Sequence, residues 1–197
     1  MRGKLGEMRT FIAVEVPKEI QNKVGKYIAS IRAFIPDVKW VVSENLHFTI
    51  KFLGEIEQTD FKNVRHCIEQ VAREYGPFTM GLSGIGFFPS ADRPKVIWIG
   101  ADGAEDILFD LYQDMERCLD NIGFEREAKT FSPHLTIGRA KKNRKVTVPE
   151  LLPDFEPVTF EVRSISIMKS TLTPNGPLYE KLSESKLKCE EARDPEP

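Results

Sequence analysis

From Met8 the chain alternates: Phe11, Ala13 and Glu15 fall on one side of an extended segment, and Ile12, Val14 and Val16 on the other, so RTFIAVEVP predicts an opening strand. At Pro17 the spacing changes. Ile20, Val24, Ile28, Ile31 and Ile35 recur every three or four positions, which predicts an amphipathic helix with Pro17 near its first turn and Pro36 at its end. KWVV then leads through Ser43 and Glu44 into LHFTIKFLG, a short β-branched and aromatic run that predicts a buried strand stopped at Gly54. A second helical stripe, Phe61, Val64, Ile68, Val71 and Tyr75, follows an N-cap at Thr59 or Asp60 and ends at Gly76.

The second half repeats the alternation of element types. PFTMGLSGIGFFP and PKVIWIGAD predict neighbouring strands around the turn-like PSADRP. Ile107, Leu108, Leu111, Met115, Cys118 and Ile122 predict a third helix stopped at Gly123. After the linker FEREAKTFSP comes HLTIGRA on a strand, then a Pro-bounded helical turn, VPELLP, and the strands VTFEVRSISIMKS and PLYEKLSES on either side of TPNG. Residues 1–7 read as an extension and residues 186–197, ending in EEARDPEP, as a disordered charged tail, which leaves 8–185 as the folded unit.

Two of the three histidines sit in nearly the same tetrapeptide, HFTI at His47 and HLTI at His134, 87 positions apart (134 − 47). Ten Thr and 16 Ile in 197 residues make that match after a given His a chance of roughly a few in a thousand on usage alone. On a strand, residues two apart share a face about 6.6 Å apart. His47 therefore projects with Thr49, and His134 with Thr136, while Phe48 and Ile50, or Leu135 and Ile137, anchor the opposite, core-facing side.

If both strands face one groove, two imidazoles and two hydroxyls converge on a volume suited to a phosphate. The hydroxyls donate to its non-bridging oxygens, and the imidazoles can act as base and acid because an unperturbed His titrates near pH 6.5. Lys51 continues the His47 face of an ideal strand, whereas strict alternation puts Arg139 opposite His134 unless a bulge near Gly138 returns it. His66, in a helix beside Arg65 and without a following Thr, is read as a surface residue. Zinc is the rival use of paired histidines, but HFTI and HLTI lack the acidic partner of HExxH and no third ligand stands at metal-like spacing, so the expectation is no metal. No GxSxG elbow marks a serine nucleophile.

Composition bounds the rest. With 41% hydrophobic and 29% charged residues the chain is an ordinary globular protein, one domain or one domain of two similar lobes. No apolar run approaches a membrane span and MRGKLGEMRT lacks a signal-peptide core, so the expectation is a cytoplasmic protein with no membrane partner. Cys67, Cys118 and Cys189 are scattered and odd in number, which predicts free thiols. A net charge of −2 argues against coating long nucleic acid, yet Arg139, Lys141, Lys142, Arg144 and Lys145 directly follow HLTI, either as a solvated loop or as an attractor for a polyanion. Trp40, Phe87, Phe88 and Trp98 could stack on a base, but burial is the expectation for each.

RTFIAVEVP, LHFTIKFLGE, GIGFFP with VIWIG, and FSPHLTIGRA, in that order over about residues 8–185, resemble the two-histidine (2H) phosphoesterase superfamily. Within it they are most similar to the RNA 2′,3′-cyclic phosphodiesterase branch, historically called 2′-5′ RNA ligase; Ser132-Pro133 before the second motif and Gly138-Arg139 after it carry the most specific part of the likeness. The resemblance implies a bilobal α+β fold, with two antiparallel sheets in pseudo-twofold relation lining a central cleft and helices on the outer faces. It implies metal-independent hydrolysis of an RNA 2′,3′-cyclic phosphate end, on a tRNA fragment, another RNA or a small cyclic nucleotide, to a 2′-phosphate with no cofactor; the expected assembly is a monomer. By that analogy His47 protonates the leaving 3′ oxygen, His134 activates water, Thr49 and Thr136 bind phosphate oxygens, and Arg139 is a further substrate-binding candidate, beside Lys51, which is one by its place on the His47 face. The alternatives are joining of ends, with a 5′-hydroxyl in place of water, and a non-catalytic module that binds RNA ends.

Overall fold

The structure, a computed structural model, describes residues 7–174 and 176–188. Among the described residues nine strands and three α-helices follow one another as β1 (Met8–Glu15), α1 (Lys18–Ile31), β2 (Val38–Trp40), β3 (His47–Ile56), α2 (Gln58–Ala72), β4 (Phe78–Phe88), β5 (Val96–Asp102), α3 (Glu105–Asp120), β6 (His134–Ala140), β7 (Val158–Val162), β8 (Ser164–Thr173) and β9 (Gly176–Lys186). The fold is α+β. All strand pairs are antiparallel, and the sheet order is β7-β4-β5-β6-β3-β1-β8-β9, with β2 added to β6. Among the described residues β3 and β6 pair only at Phe48 opposite Leu135, where two antiparallel sheets join into one path, while β2 adds three pairs to the far end of β6.

The register across that junction repeats. β3 pairs with β1 and β6 with β5 in the same frame: His47 lies opposite Glu15 and His134 opposite Gly100, Thr49 opposite Ala13 and Thr136 opposite Trp98. Reading outward from the junction, β3-β1-β8-β9 on one side matches β6-β5-β4-β7 on the other, a pseudo-twofold arrangement. The helices cover one sheet face, and the core between holds Val24 and Ile28 of α1, Val64 and Ile68 of α2, and Leu108 and Met115 of α3 against Phe48, Ile50, Leu135 and Ile137. Each fully buried side chain of that size is worth about 1.5–3 kcal/mol, enough for the motif strands to hold their polar residues on the opposite face.

Several expected boundaries move for local reasons. α1 ends at Ile31, because Pro36 disfavours helical geometry at Ile35; Ile35 is nonetheless fully buried after a turn. β3 does not stop at Gly54 but passes through it at φ 75°, with Leu53 as an extra residue in the pairing, and runs on to Ile56. α2 starts at Gln58, where the Glu57 carbonyl accepts from Asp60 and Phe61, so Thr59 and Asp60 fall in the first turn, and it ends at Ala72 before the expected Gly76. On α3, Leu108, Leu111, Tyr112, Met115 and Leu119 are buried, while Ile107 and Ile122 lie off the stripe. VPELLP is not helical, since its two prolines leave no room for a turn of helix. VTFEVRSISIMKS is two strands, β7 and β8, that separate at Arg163 and pair with opposite halves of the sheet.

The thiol expectation is corrected for two residues: Cys67 on α2 and Cys118 on α3 form a disulfide, with Cα atoms 5.9 Å apart, because the two helices pack side by side. Cys189 and the rest of the expected charged tail from there on lie outside the described residues, as do residues 1–6. The ordered fold runs past residue 185, with Leu187 buried and Lys188 N donating to the Tyr75 carbonyl. Among the described residues no helix is long and apolar enough to cross a membrane.

Candidate active site

A 3-10 turn over Ser43–Asn45 delivers the chain into β3, and the Asn45 side chain donates to the Pro177 carbonyl at 3.0 Å, tying that turn to β9. This fixes the Asn45 carbonyl, which accepts from His47 Nδ1 at 2.7 Å. The second motif uses a different device. Pro133 disfavours helical backbone at Ser132, and the Ser132 carbonyl accepts from His134 Nδ1, also at 2.7 Å. A carbonyl only accepts, so Nδ1 carries the proton in both rings and Nε2 is the nitrogen that gains or loses one.

Thr49 and Thr136 stand two positions along from their histidines on the same face, half-exposed, while Phe48, Ile50, Leu135 and Ile137 are buried on the other. From that face His47, Thr49 and Thr136 line a cleft of about 430 Å³, with Arg9, Arg139 and Tyr179 also in its walls; His134, two positions before Thr136, is not one of its lining residues. His47 is packed between Phe11, at 4.8 Å between ring centroids, and Tyr179, edge-on at 5.0 Å. His134 meets Phe88 edge-on at 5.0 Å and Trp98 at 6.2 Å.

A bulge in each motif strand decides the fate of the two cationic candidates. Ala13 pairs with Thr49 and Ile12 with Lys51, so Ile50 is an extra residue; Trp98 pairs with Thr136 and Ile97 with Gly138, so Ile137 is its counterpart. Each bulge flips the alternation after the threonine. Lys51 is therefore not at the cleft: it is 2% exposed on the helix side, ion-paired with the buried Glu116 of α3 and donating to the Glu125 carbonyl at 2.9 Å. Phe52 takes the cleft position instead. In β6 the same flip buries Gly138 and turns Arg139 into the cleft. Gly138 is needed there, because a Cβ would lie 2.7 Å from Val38 and 3.0 Å from Trp40.

The expectation of burial is corrected for two aromatics. Trp40 and Phe87 do pack against the core, but Phe88 and Trp98 stack on each other, 5.0 Å between centroids, as the wall beside His134. Trp98 lies across from Gly86, which has no side chain to lift it off the sheet. Trp40 also lines, with Val42, Leu178, Tyr179, Lys39 and Arg139, an adjoining slot of about 420 Å³. His66 is exposed on α2, away from these strands.

Burial lowers both imidazoles below the usual His value. At His47 the bond to Asn45 opposes this, Arg139 adds to it, and the Glu15 carboxylate again opposes it; at His134 the bond to Ser132 opposes it and Arg139 adds to it. The halves thus differ in charge: Glu15 faces His47 across β1, while Gly100 occupies that position for His134. Glu15 also accepts from Lys181 at 2.8 Å and from Ser166. Sequence reading does not assign Phe11, Glu15, Phe52 or Tyr179 to the site, which they reach through strand pairing and bulges.

The LigT-like phosphoesterase family model matches the chain twice, over residues 14–98 and 99–179, so that each match encloses one His-x-Thr-Ile strand. An RNA 2′,3′-cyclic phosphodiesterase of Methanocaldococcus jannaschii is 35% identical over 181 residues, covering 90% of this chain and 99% of the relative. One of Thermotoga maritima is 34% identical, covering 90% and 94%. The crystal structure of TT0787 of Thermus thermophilus superposes with a TM-score of 0.77 at 26% identity, over 93% of this chain and all of the other. The duplicated match and the coverage of these relatives, one motif strand to each half, show that the chain belongs to the LigT-like phosphoesterase family.

Proposed function

We propose that the chain hydrolyses RNA ends bearing a 2′,3′-cyclic phosphate to 2′-phosphate ends, as the names of its relatives describe for them. The observation that carries this reading is the matched pair of imidazoles, each held by Nδ1 to a backbone carbonyl two residues earlier, on the face that also carries Thr49 and Thr136. Both Nε2 atoms are thereby left to exchange protons with substrate. His134 Nε2 takes a proton from water as its oxygen bonds to phosphorus, and His47 Nε2 gives a proton to the 3′ oxygen as the P–O3′ bond breaks. Glu15 favours His47 for the acid, since its carboxylate supports the imidazolium and His134 has no such neighbour across its strand.

Thr49 and Thr136 donate to the non-bridging oxygens, and Arg139 offsets the charge that grows on them in the transition state. Every group invoked comes from one chain, so the proposed working unit is a monomer. A 5′-hydroxyl in place of water would join two ends through the same protons, and water's abundance favours hydrolysis.

The test is a short RNA ending in a 2′,3′-cyclic phosphate, incubated with the protein in EDTA, with products resolved beside His47→Ala and His134→Ala. Conversion to a 2′-phosphate, reduced at least about 10²-fold in each variant, is expected from loss of a general acid or base. An RNA that stays bound and unconverted by the wild type would point to an end-binding module instead. Products that appear only with an acceptor 5′-hydroxyl would point to joining.

A further inference from the structure

Residues 121–133, which join α3 to β6, form neither helix nor strand, yet they lead to the carbonyl that orients His134. Ser132, which supplies that carbonyl, is itself exposed, so its neighbours must hold it. One face of α3 does this. Glu116 accepts from Glu127 N at 2.9 Å, and Lys51, its buried ion-pair partner from β3, donates to the Glu125 carbonyl at 2.9 Å. One turn earlier on the same face, the buried Tyr112 stacks flat on Phe131, with 4.4 Å between ring centroids and 5° between planes. The segment is thus fixed at 125–127 and again at 131, and Phe131 is the residue next to Ser132.

On the other side Leu135, fully buried, fixes the strand after His134. Between Phe131 and Leu135 stand only Ser132, Pro133 and His134, so pinning both ends leaves the Ser132 carbonyl and the imidazole it holds little freedom. The first motif uses a polar tie instead: the Asn45 side chain, bound to the Pro177 carbonyl, fixes the turn that orients His47.

We infer that the Tyr112–Phe131 stack is a positioning device for His134, holding the Ser132 carbonyl where Nδ1 donates to it and so presenting Nε2 to the proton it must take. The catalytic consequence rests on the proposed reaction; the orientation of the ring does not. Neither Tyr112 nor Phe131 lines the cleft, so losing the stack should lower kcat and spare KM.

The test compares F131L, which removes one stacked ring, with F131Y and Y112F, which keep both, at a temperature where every variant is folded by circular dichroism. On an RNA with a 2′,3′-cyclic end F131L is expected to lose about 10- to 100-fold in kcat, the size of effect that a misplaced catalytic group produces, with KM within about twofold and F131Y and Y112F within about threefold of wild type. Imidazole NMR of the free protein reads the same device without turnover. Wild-type His134 should hold one neutral tautomer, protonated on Nδ1, whereas F131L should show both. Because the Ser132 bond supports the charged ring, the His134 midpoint should also fall in F131L, and the acid limb of kcat/KM with it. The charged or titratable groups facing His134 are Arg139 on its own strand and His47 on β3, both left in place; β4 and β5 present Phe88, Trp98 and Gly100. His47 should be unaltered and is the internal control. Wild-type kcat and a single His134 tautomer in F131L would overturn the inference. So would a kcat loss with His134 unaltered, or equal changes at both rings, which would mean a general loosening. If the wild type hydrolyses no cyclic end, the proposed reaction fails and the NMR comparison alone decides the positioning role.

Discussion

The hydrogen bond from each Nδ1 to its carbonyl means that a single nitrogen per ring titrates, and the surroundings set where. Burial holds both rings below their ordinary value, so in the free protein both are mainly neutral at pH 7. One of them must be protonated to act as acid, so the kcat/KM optimum should fall below about pH 6.5, the ordinary His value. A bound phosphate, being anionic, raises both rings and shifts the kcat profile upward. Glu15→Gln removes a carboxylate that supports the His47 imidazolium, and should lower the His47 midpoint in an imidazole NMR titration while leaving His134 in place. With His47 as acid, the alkaline limb of kcat/KM should move down with it. Movement of the acid limb instead would reverse the proposed roles. The four motif residues are legible in sequence because His-x-Thr repeats in a two-residue period. Glu15, Phe11 and Tyr179 are not, because they arrive from β1 and β9 through pairings that sequence spacing does not encode.

At the scale of the element, the bulges at Ile50 and Ile137 separate what a strand pattern shows from what a strand does. Strict alternation places Lys51 in the cleft and Arg139 behind it, and one extra residue in each strand reverses both. Nothing in HFTIKF or HLTIGR marks the extra residue, apart from Gly138, whose lack of a side chain lets Trp40 approach. Lys51 instead ties β3 to α3, with Glu116 also accepting from Glu127 N at 2.9 Å. Removing one partner of so buried a pair strands the other charge. Lys51→Met should therefore cost about 3–5 kcal/mol in chemical denaturation, while Lys51→Met with Glu116→Leu should recover most of it. A loss under about 1 kcal/mol from the single change would mean that the pair is open to water. Helix ends moved by a few residues for the same kind of reason: the stripe shows which face is buried, and prolines and turns decide where it stops.

Across the whole molecule the repeat of a helix and a His-x-Thr-Ile strand was readable as an echo between halves, and the sheet order gives it geometric form. What the echo could not convey is how little main-chain pairing joins the halves at the motif strands: Phe48 opposite Leu135 is the sole β3–β6 pair among the described residues. Each half brings one imidazole and one hydroxyl, so an anion in the cleft would bridge β3 and β6 where the backbone barely does. Inorganic phosphate at about 100 times its dissociation constant should then stabilise the fold by about 2.7 kcal/mol, read as a rise in Tm. Thr49→Val and Thr136→Val should each weaken phosphate binding, because each deletes a hydroxyl donor from one half while preserving side-chain shape. If the site is shared, the rise at fixed phosphate concentration should shrink by a similar amount in the two variants. A rise that survives both would place the anion elsewhere, and one that disappears in a single variant would show that one half binds it alone.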